Sequence, residues 1–189
     1  TLGEKGTSHL RRPMTRRQLK ATRRKELMAC AKLVHLAPVH ILNLPDGGVA
    51  AKRRIFSKRS LKLAKKFFPD AILTFGPDGL TGHNDHITCW HVGRQLAKSL
   101  RCPLYLFTVP PKIRTKAAGW FIARRVNPHY QLRIAPYKRA SVRVPLPPGL
   151  KKKIIRQHPS QMDGKSTYRG FPAYAIKEFT SAEYFAHSR

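Results

Sequence analysis

Acidic residues are scarce in this chain. Its 189 residues include 9 Asp+Glu against 38 Lys+Arg, a formal net charge of +29. Cysteine is scarcer still: Cys30, Cys89 and Cys102, an odd number at wide spacing. No pair has the two-residue gap of a zinc ribbon and no disulfide framework follows, which fits a reducing, cytoplasmic setting. No apolar run approaches the roughly 20 residues that span a bilayer, so no transmembrane segment is expected. The charged start, apolar stretch and small-residue cleavage site of a secretory leader are missing too. The first residue is Thr rather than Met, and a processed or truncated piece is the expectation.

What is present is a folding sequence. Hydrophobic residues make up 41% of it, too many for a disordered basic tail, and the length suits one domain with a sizeable core. The charge points first to a polyanion, either nucleic acid or an acidic membrane surface. Lys and Arg are spread along helical segments, however, without a concentrated basic stripe interleaved with aromatics. No RNP-type or helix-turn-helix signature occurs. Nucleic acid is therefore a rival partner and not the favoured one.

Along the chain, Thr15 can cap a helix over Arg16–Val34, in which Leu19, Leu27, Ala31 and Val34 recur at helical spacing. Val39–Leu44 is a strand candidate, followed by the turn Pro45-Asp46-Gly47-Gly48. A second helix is predicted over Lys52–Phe67, ending before Pro69. Ala71–Phe75 reads as a buried parallel strand, Gly76–Gly82 as the loop at its C-terminal end, and a third helix begins near His83 to His86 and runs to about Leu100. Leu104–Val109 is a further strand. Beyond Pro111 the pattern breaks up: Pro136, Pro145, Pro147 and Pro148 interrupt short strand candidates at Gln131–Ile134 and Ser141–Val144, and Leu150–Gln161 is a basic helix candidate. The alternation argues α/β with a mainly parallel sheet flanked by helices, and a short irregular or β C-terminal part. In such folds sites gather in loops at strand C-termini.

Gly82-His83-Asn84-Asp85-His86 is the densest group of chemistry-bearing side chains. Two His three residues apart at a helix start, with a carboxylate between them, can face one cavity. Neutral imidazole ligates zinc, and a carboxylate can orient an imidazole. Spacing alone leaves two readings open, since in a chain with 9 His such a pair also occurs as surface or capping residues. Its place after an apolar strand and a Gly-rich loop favours a site.

The stretch PDAILTFGPDGLTGHNDHITCWHVGRQLA resembles the signature of the LmbE-like family of zinc-dependent de-N-acetylases. That family includes the N-acetylglucosaminyl-phosphatidylinositol deacetylases and those of mycothiol and bacillithiol synthesis. TLGEKGT resembles the family's T-x-GExG segment, and TRRKELMACAKLVHLAPVHILNLPDGGV its R-x-x-E-L helix, strand and L-P-D-G turn. LYLFTVPP resembles the following strand, LKKKIIRQHPSQ the late H-x-S-Q helix, and AEYF the closing segment. The resemblance implies a Rossmann-like fold and removal of an acetyl group from a GlcNAc-containing small molecule or glycolipid. It implies that His86 ligates one zinc ion. It makes His83 the residue that stabilises the oxyanion or protonates the leaving amine, and Asp85 the residue that tunes His83. It places Arg23 and Asp46 near the sugar. Asn84 stands where the family usually has Pro, which leaves the loop less rigid.

The family's other zinc ligands and its general base come from an A-H-P-D-D-E motif upstream of the T-x-GExG segment, and no H-P-D-D occurs here. The expectation is a single LmbE-like domain over residues 1–189 that lacks its first strand-helix segment, belongs to an active zinc hydrolase and is inactive alone. A non-catalytic, sugar-binding family member is the other alternative. Among further residues, Asp78 is expected to shape its loop, Cys89 to face the core, Trp90 and Trp120 to pack, and Lys151–Lys153 to form a solvated face. The segment His158–Gln161 is expected to close a helix, with contact to the substrate as the alternative that the resemblance implies. Glu4 matches the GExG glutamate, and loop capping explains it almost as well.

Overall fold

The structure, a computed structural model, describes residues 1–6, 8, 10, 12–36, 38–80, 82–110, 113–115, 139–162 and 173–188. The strand expected over Gln131–Ile134, as well as Pro136 and Trp120, lies outside them. The chain forms two compact units, residues 1–46 with 146–181, and residues 47–145 with 182–189.

In the first unit, α1 (Arg16–Leu33) starts on a capping box: Thr15 accepts from the backbone N–H of Gln18, whose side chain accepts from the backbone N–H of Thr15. This reciprocal pairing satisfies two amides that a helix start leaves without partners. The buried stripe of α1 is Leu19, Arg23, Glu26 and Ala31. Leu27 and Val34, expected on that stripe, are only half-buried. Leu2 and Leu44 join Leu19 and Ala31 among the unit's buried apolar residues. The predicted strand Val39–Leu44 forms no ladder among the described residues, and Asn43 sits at φ 53, in the left-handed region that interrupts an extended run. The expected helix over Leu150–Gln161 is shorter, α4 (Leu150–Arg156), and is followed by a single 3-10 turn at Pro159–Gln161. Proline lacks the N–H that would continue an α-helix. A further helix, α5, spans Ala173–Ser181.

The second unit is α/β. Its helices are α2 (Arg53–Phe67), preceded by a 3-10 turn at Ala50–Lys52, and α3 (Asn84–Leu100). Its strands are β1 (Ile72–Phe75), β2 (Leu104–Thr108), β3 (Val142–Pro145) and β4 (Ala182–Ser188), in the order β1-β2-β4-β3. The β1–β2 pair is parallel, with Ile72 opposite Leu104, whereas β4 runs antiparallel to both β2 and β3. The expectation of a mainly parallel sheet is therefore corrected. Residues 182–188, whose first four form the AEYF segment, supply a central strand that returns against β2, so among the described residues the parallel part is the β1–α3–β2 crossover alone. The core is Ala97, Leu104, Leu106 and Ala186, with Ile72, Trp90 and Cys102 packed against it.

The crossover positions the candidate site. Helix α3 lies close over β1 because it carries Gly93: a Cβ there would fall 2.7 Å from Thr74 Cγ2. A mid-helix glycine costs about 1 kcal/mol in propensity against alanine, and this close approach is what it permits. The β1–α3 loop thereby ends at a fixed helix start.

Candidate functional site

The second unit brings His83, Asp85 and His86 to the first turn of α3. His83 is the N-cap, and its Nδ1 accepts the backbone N–H of Asp85 at 3.2 Å. An accepting Nδ1 carries no proton, so the neutral ring bears its N–H at Nε2. His86 has the opposite tautomer. Its Nδ1 lies 3.0 Å from the carbonyl oxygen of Gly79, which can only accept, so the neutral ring keeps its lone pair at Nε2. The two imidazole centroids are 5.1 Å apart. The site thus pairs an N–H donor with a lone-pair donor on adjacent rings.

Two features outside the motif fix the His86 ring. Phe75, the last residue of β1, stacks on it with centroids 4.0 Å apart and planes 2° from parallel. Gly79 adopts φ +60, and a Cβ there would come within 3.0 Å of the His86 Cβ. A side chain at Gly79 would be strained and crowded, so the Gly76–Gly82 loop needs glycine to aim its carbonyl at the ring. Such an outer bond fixes tautomer and ring orientation. Sequence reasoning did not identify Gly79 or Phe75, although a glycine in the loop after an apolar strand was the available signal.

Asp85 is buried and its carboxylate accepts two backbone amides, from Gly47 at 2.8 Å and Val49 at 3.0 Å. These bonds, together with its place in the first turn of a helix, are what allow a carboxylate to be buried. Asp85 meets His83 through its own backbone N–H, while its carboxylate pins the 47–49 turn. Asp78 is buried and paired with Arg114, in line with a loop-shaping role. Cys89 is half-buried, and its thiol is pushed up by burial and then by the Asp85 carboxylate.

The first unit holds the other two residues expected at the site. Arg23 is 9% exposed. It donates through Nη1 to the carbonyl of Gly3 and through Nε to Ser160 Oγ at 3.4 Å. Gly3 at φ +64 and Gly6 border its guanidinium so closely that a Cβ on either would collide with it. The glycines of the T-x-GExG segment thus make room for the arginine of α1. Ser160 is wholly buried. It donates its N–H to Glu26 Oε1 at 2.8 Å and its hydroxyl to Glu26 Oε2 at 2.7 Å.

Asp46 is half-buried. Its Oδ2 accepts the N–H of Lys5 at 3.1 Å, and its own N–H donates to Glu4 Oε1 at 3.0 Å. Burial pushes the Glu4 carboxyl up, but amide bonds from Asp46, Glu4 itself and Leu2, with the Lys20 charge, outweigh it and lower its pKa. An open cavity of about 480 Å³ is lined by Glu4, Lys5, Gly6, Arg12 and Arg16 among others.

Among the described residues no group of three or more His, Cys, Asp or Glu is arranged to hold a metal ion. His86 is one candidate donor, and a catalytic zinc usually takes three protein ligands. No helix among the described residues is long and apolar enough to cross a membrane.

The profile of the GlcNAc-PI de-N-acetylase family, PIG-L, matches residues 1–97. The chain is also similar to a 1D-myo-inositol 2-acetamido-2-deoxy-alpha-D-glucopyranoside deacetylase of Corynebacterium diphtheriae. The two are 31% identical over 68 residues, covering 31% of this chain and 23% of that relative. The match thus spans about a quarter of the relative's own length.

Proposed function

The chain belongs to the GlcNAc-PI de-N-acetylase family, and from that premise we propose that the protein hydrolyses the N-acetyl amide of a GlcNAc conjugate. Water adds to the amide carbonyl, the C–N bond breaks, and acetate and the free amine leave. The observation that carries this reading is the pair of opposed imidazoles at the start of α3, inside the segment that matches the family.

His83 presents an Nε2–H, the group needed to donate to the oxygen that gains charge as water adds, or to protonate the departing amine. Asp85 is a positioning residue: its N–H holds the His83 tautomer and its carboxylate holds the 47–49 turn. Asp46 is the proposed contact to the sugar. Arg23 supports the Gly3–Gly6 loop from within the first unit. His86, with its lone pair at Nε2, is the proposed donor to a zinc ion. The described residues alone do not fit a complete zinc site, and the missing A-H-P-D-D-E motif is the ground for expecting no turnover by residues 1–189 by themselves.

The test is release of free amine from a GlcNAc–inositol conjugate. The full-length protein, supplied with zinc, is expected to release amine, and residues 1–189 alone to release none. Failure of both, with salt-sensitive nucleic-acid binding, would replace this reading with the polyanion-binding one. A start codon directly before Thr1 would instead favour a non-catalytic sugar-binding protein.

A further inference from the structure

Helix α2 stands apart from the chemistry at α3. It carries seven Lys and Arg over residues 53–67 and no acidic residue, and the nearest acid is Asp70, beyond Pro69. None of its residues is buried. It packs on α3 along one side, and Arg54, Lys58, Lys62, Lys65 and Lys66 are all exposed. From Arg54 to Lys66 this cationic face runs about 18 Å, at 1.5 Å per residue.

The end of the helix is the second observation. Phe67 is 44% exposed and Phe68 is 80% exposed. Phe68 is also the C-cap, at φ 46 and ψ 61, with its N–H bonded to Ala64 O at 2.9 Å. That left-handed position is normally filled by glycine, and a bulky side chain there is strained. Isolated exposed apolar residues need no explanation. Two adjacent phenylalanines, one strained and largely solvent-facing, at the end of a polycationic helix do.

We propose that the α2 face and the Phe67–Phe68 tip form a docking surface for an anionic phospholipid bilayer. Cations lying along a helix are attracted to a negatively charged leaflet, and apolar side chains beside them enter the headgroup boundary. Nucleic acid is the weaker occupant. A stacking platform needs aromatics distributed among the cations along the strand's path, whereas these two are adjacent and terminal. The inference is independent of the deacetylase reading, because no residue of α2 takes part in it.

The test is co-sedimentation of the full chain with vesicles of neutral phosphatidylcholine and with vesicles containing roughly one third phosphatidylglycerol. Binding is expected to the anionic vesicles only and to weaken with salt. Lys58→Ala/Lys62→Ala is expected to lower partitioning about twenty-fivefold, near fivefold per cation. A Lys152→Ala/Lys153→Ala control on α4, with the same change in net charge, is expected to leave it within about twofold.

Phe68→Gly separates docking from a structural role. It relieves the backbone strain and is expected to raise the melting temperature while weakening vesicle binding about tenfold. Equal losses in the α2 and α4 variants would overturn the proposal, since bulk charge would then explain binding. So would retained binding or a lower melting temperature in Phe68→Gly. Preference for single-stranded RNA over anionic vesicles, sensitive to the Lys58/Lys62 change and indifferent to Phe68→Gly, would assign the face to nucleic acid instead.

Discussion

Ser160 gives both its backbone N–H and its hydroxyl to the two carboxylate oxygens of Glu26, at 2.8 and 2.7 Å, across 134 positions of sequence. Glu26 is 6% exposed and Ser160 wholly buried, so solvent cannot replace either bond. Ser160→Ala is expected to destabilise the protein by about 1–3 kcal/mol, because it leaves a buried carboxylate short of a donor. Urea denaturation checks this. A change below about 0.5 kcal/mol would show that the pair is not held as the structure has it.

Gly93→Ala is expected to destabilise although alanine is the better helix former. The added methyl meets Thr74 Cγ2 at 2.7 Å and Cβ at 3.0 Å, atoms of a short β-branched side chain that cannot move far. Overpacking of this kind costs about 1–3 kcal/mol, more than the gain of about 1 kcal/mol in propensity. The denaturant midpoint is expected to fall, and a rise would mean that α3 and β1 sit farther apart.

The carboxyl of Glu4 lies below its ordinary 4.5 in the folded chain. A carboxyl lowered by folding adds stability that is fully present above pH 4.5 and is lost as pH falls through the folded value. Wild type is therefore expected to exceed Glu4→Gln in melting temperature at neutral pH, with the gap closing below about pH 4.5. A gap that is constant from neutral to acid pH would contradict the assignment.

Asp85→Ala removes the acceptor for the Gly47 and Val49 amides. Both amides are expected to lose protection in hydrogen exchange, and stability to fall by about 2–4 kcal/mol. Asp85→Asn keeps one acceptor oxygen, and should deprotect one of the two amides more than the other. Unchanged protection in Asp85→Ala would remove the positioning role given to this residue.

Local signals carried much of the fold. Thr15 with Gln18, Pro69 after Phe67, and the apolar runs Ala71–Phe75 and Leu104–Val109 marked elements close to where they form, because caps, proline and β-branched runs act within a few residues. Val39–Leu44 had a strand's composition but joins no ladder among the described residues, and pairing is a tertiary event that propensity does not contain. The direction of β4 was hidden for the same reason. At the site, His83, Asp85 and His86 were legible as a cluster because they are contiguous. The ring of Phe75, the Gly79 carbonyl and the Asp85 bonds to Gly47 and Val49 were not, since each depends on how loops fold back. Arg23 and Glu26 were readable after the fact: a charged residue on the stripe begun by Leu19 is buried and needs hydrogen-bond partners there, which Gly3 and Ser160 supply.

The two imidazoles at the start of α3 are proposed to have different tasks, His83 as hydrogen-bond donor or acid and His86 as zinc donor. The measurement is turnover of a GlcNAc–inositol conjugate, together with zinc content, for the full-length protein and for its His83→Ala and His86→Ala variants. His83→Ala is expected to keep its zinc and lose about 10²–10³-fold in kcat, the usual cost of losing a transition-state donor or acid. His86→Ala is expected to lose zinc and activity together. Equal turnover and equal zinc in all three proteins would contradict this division of roles.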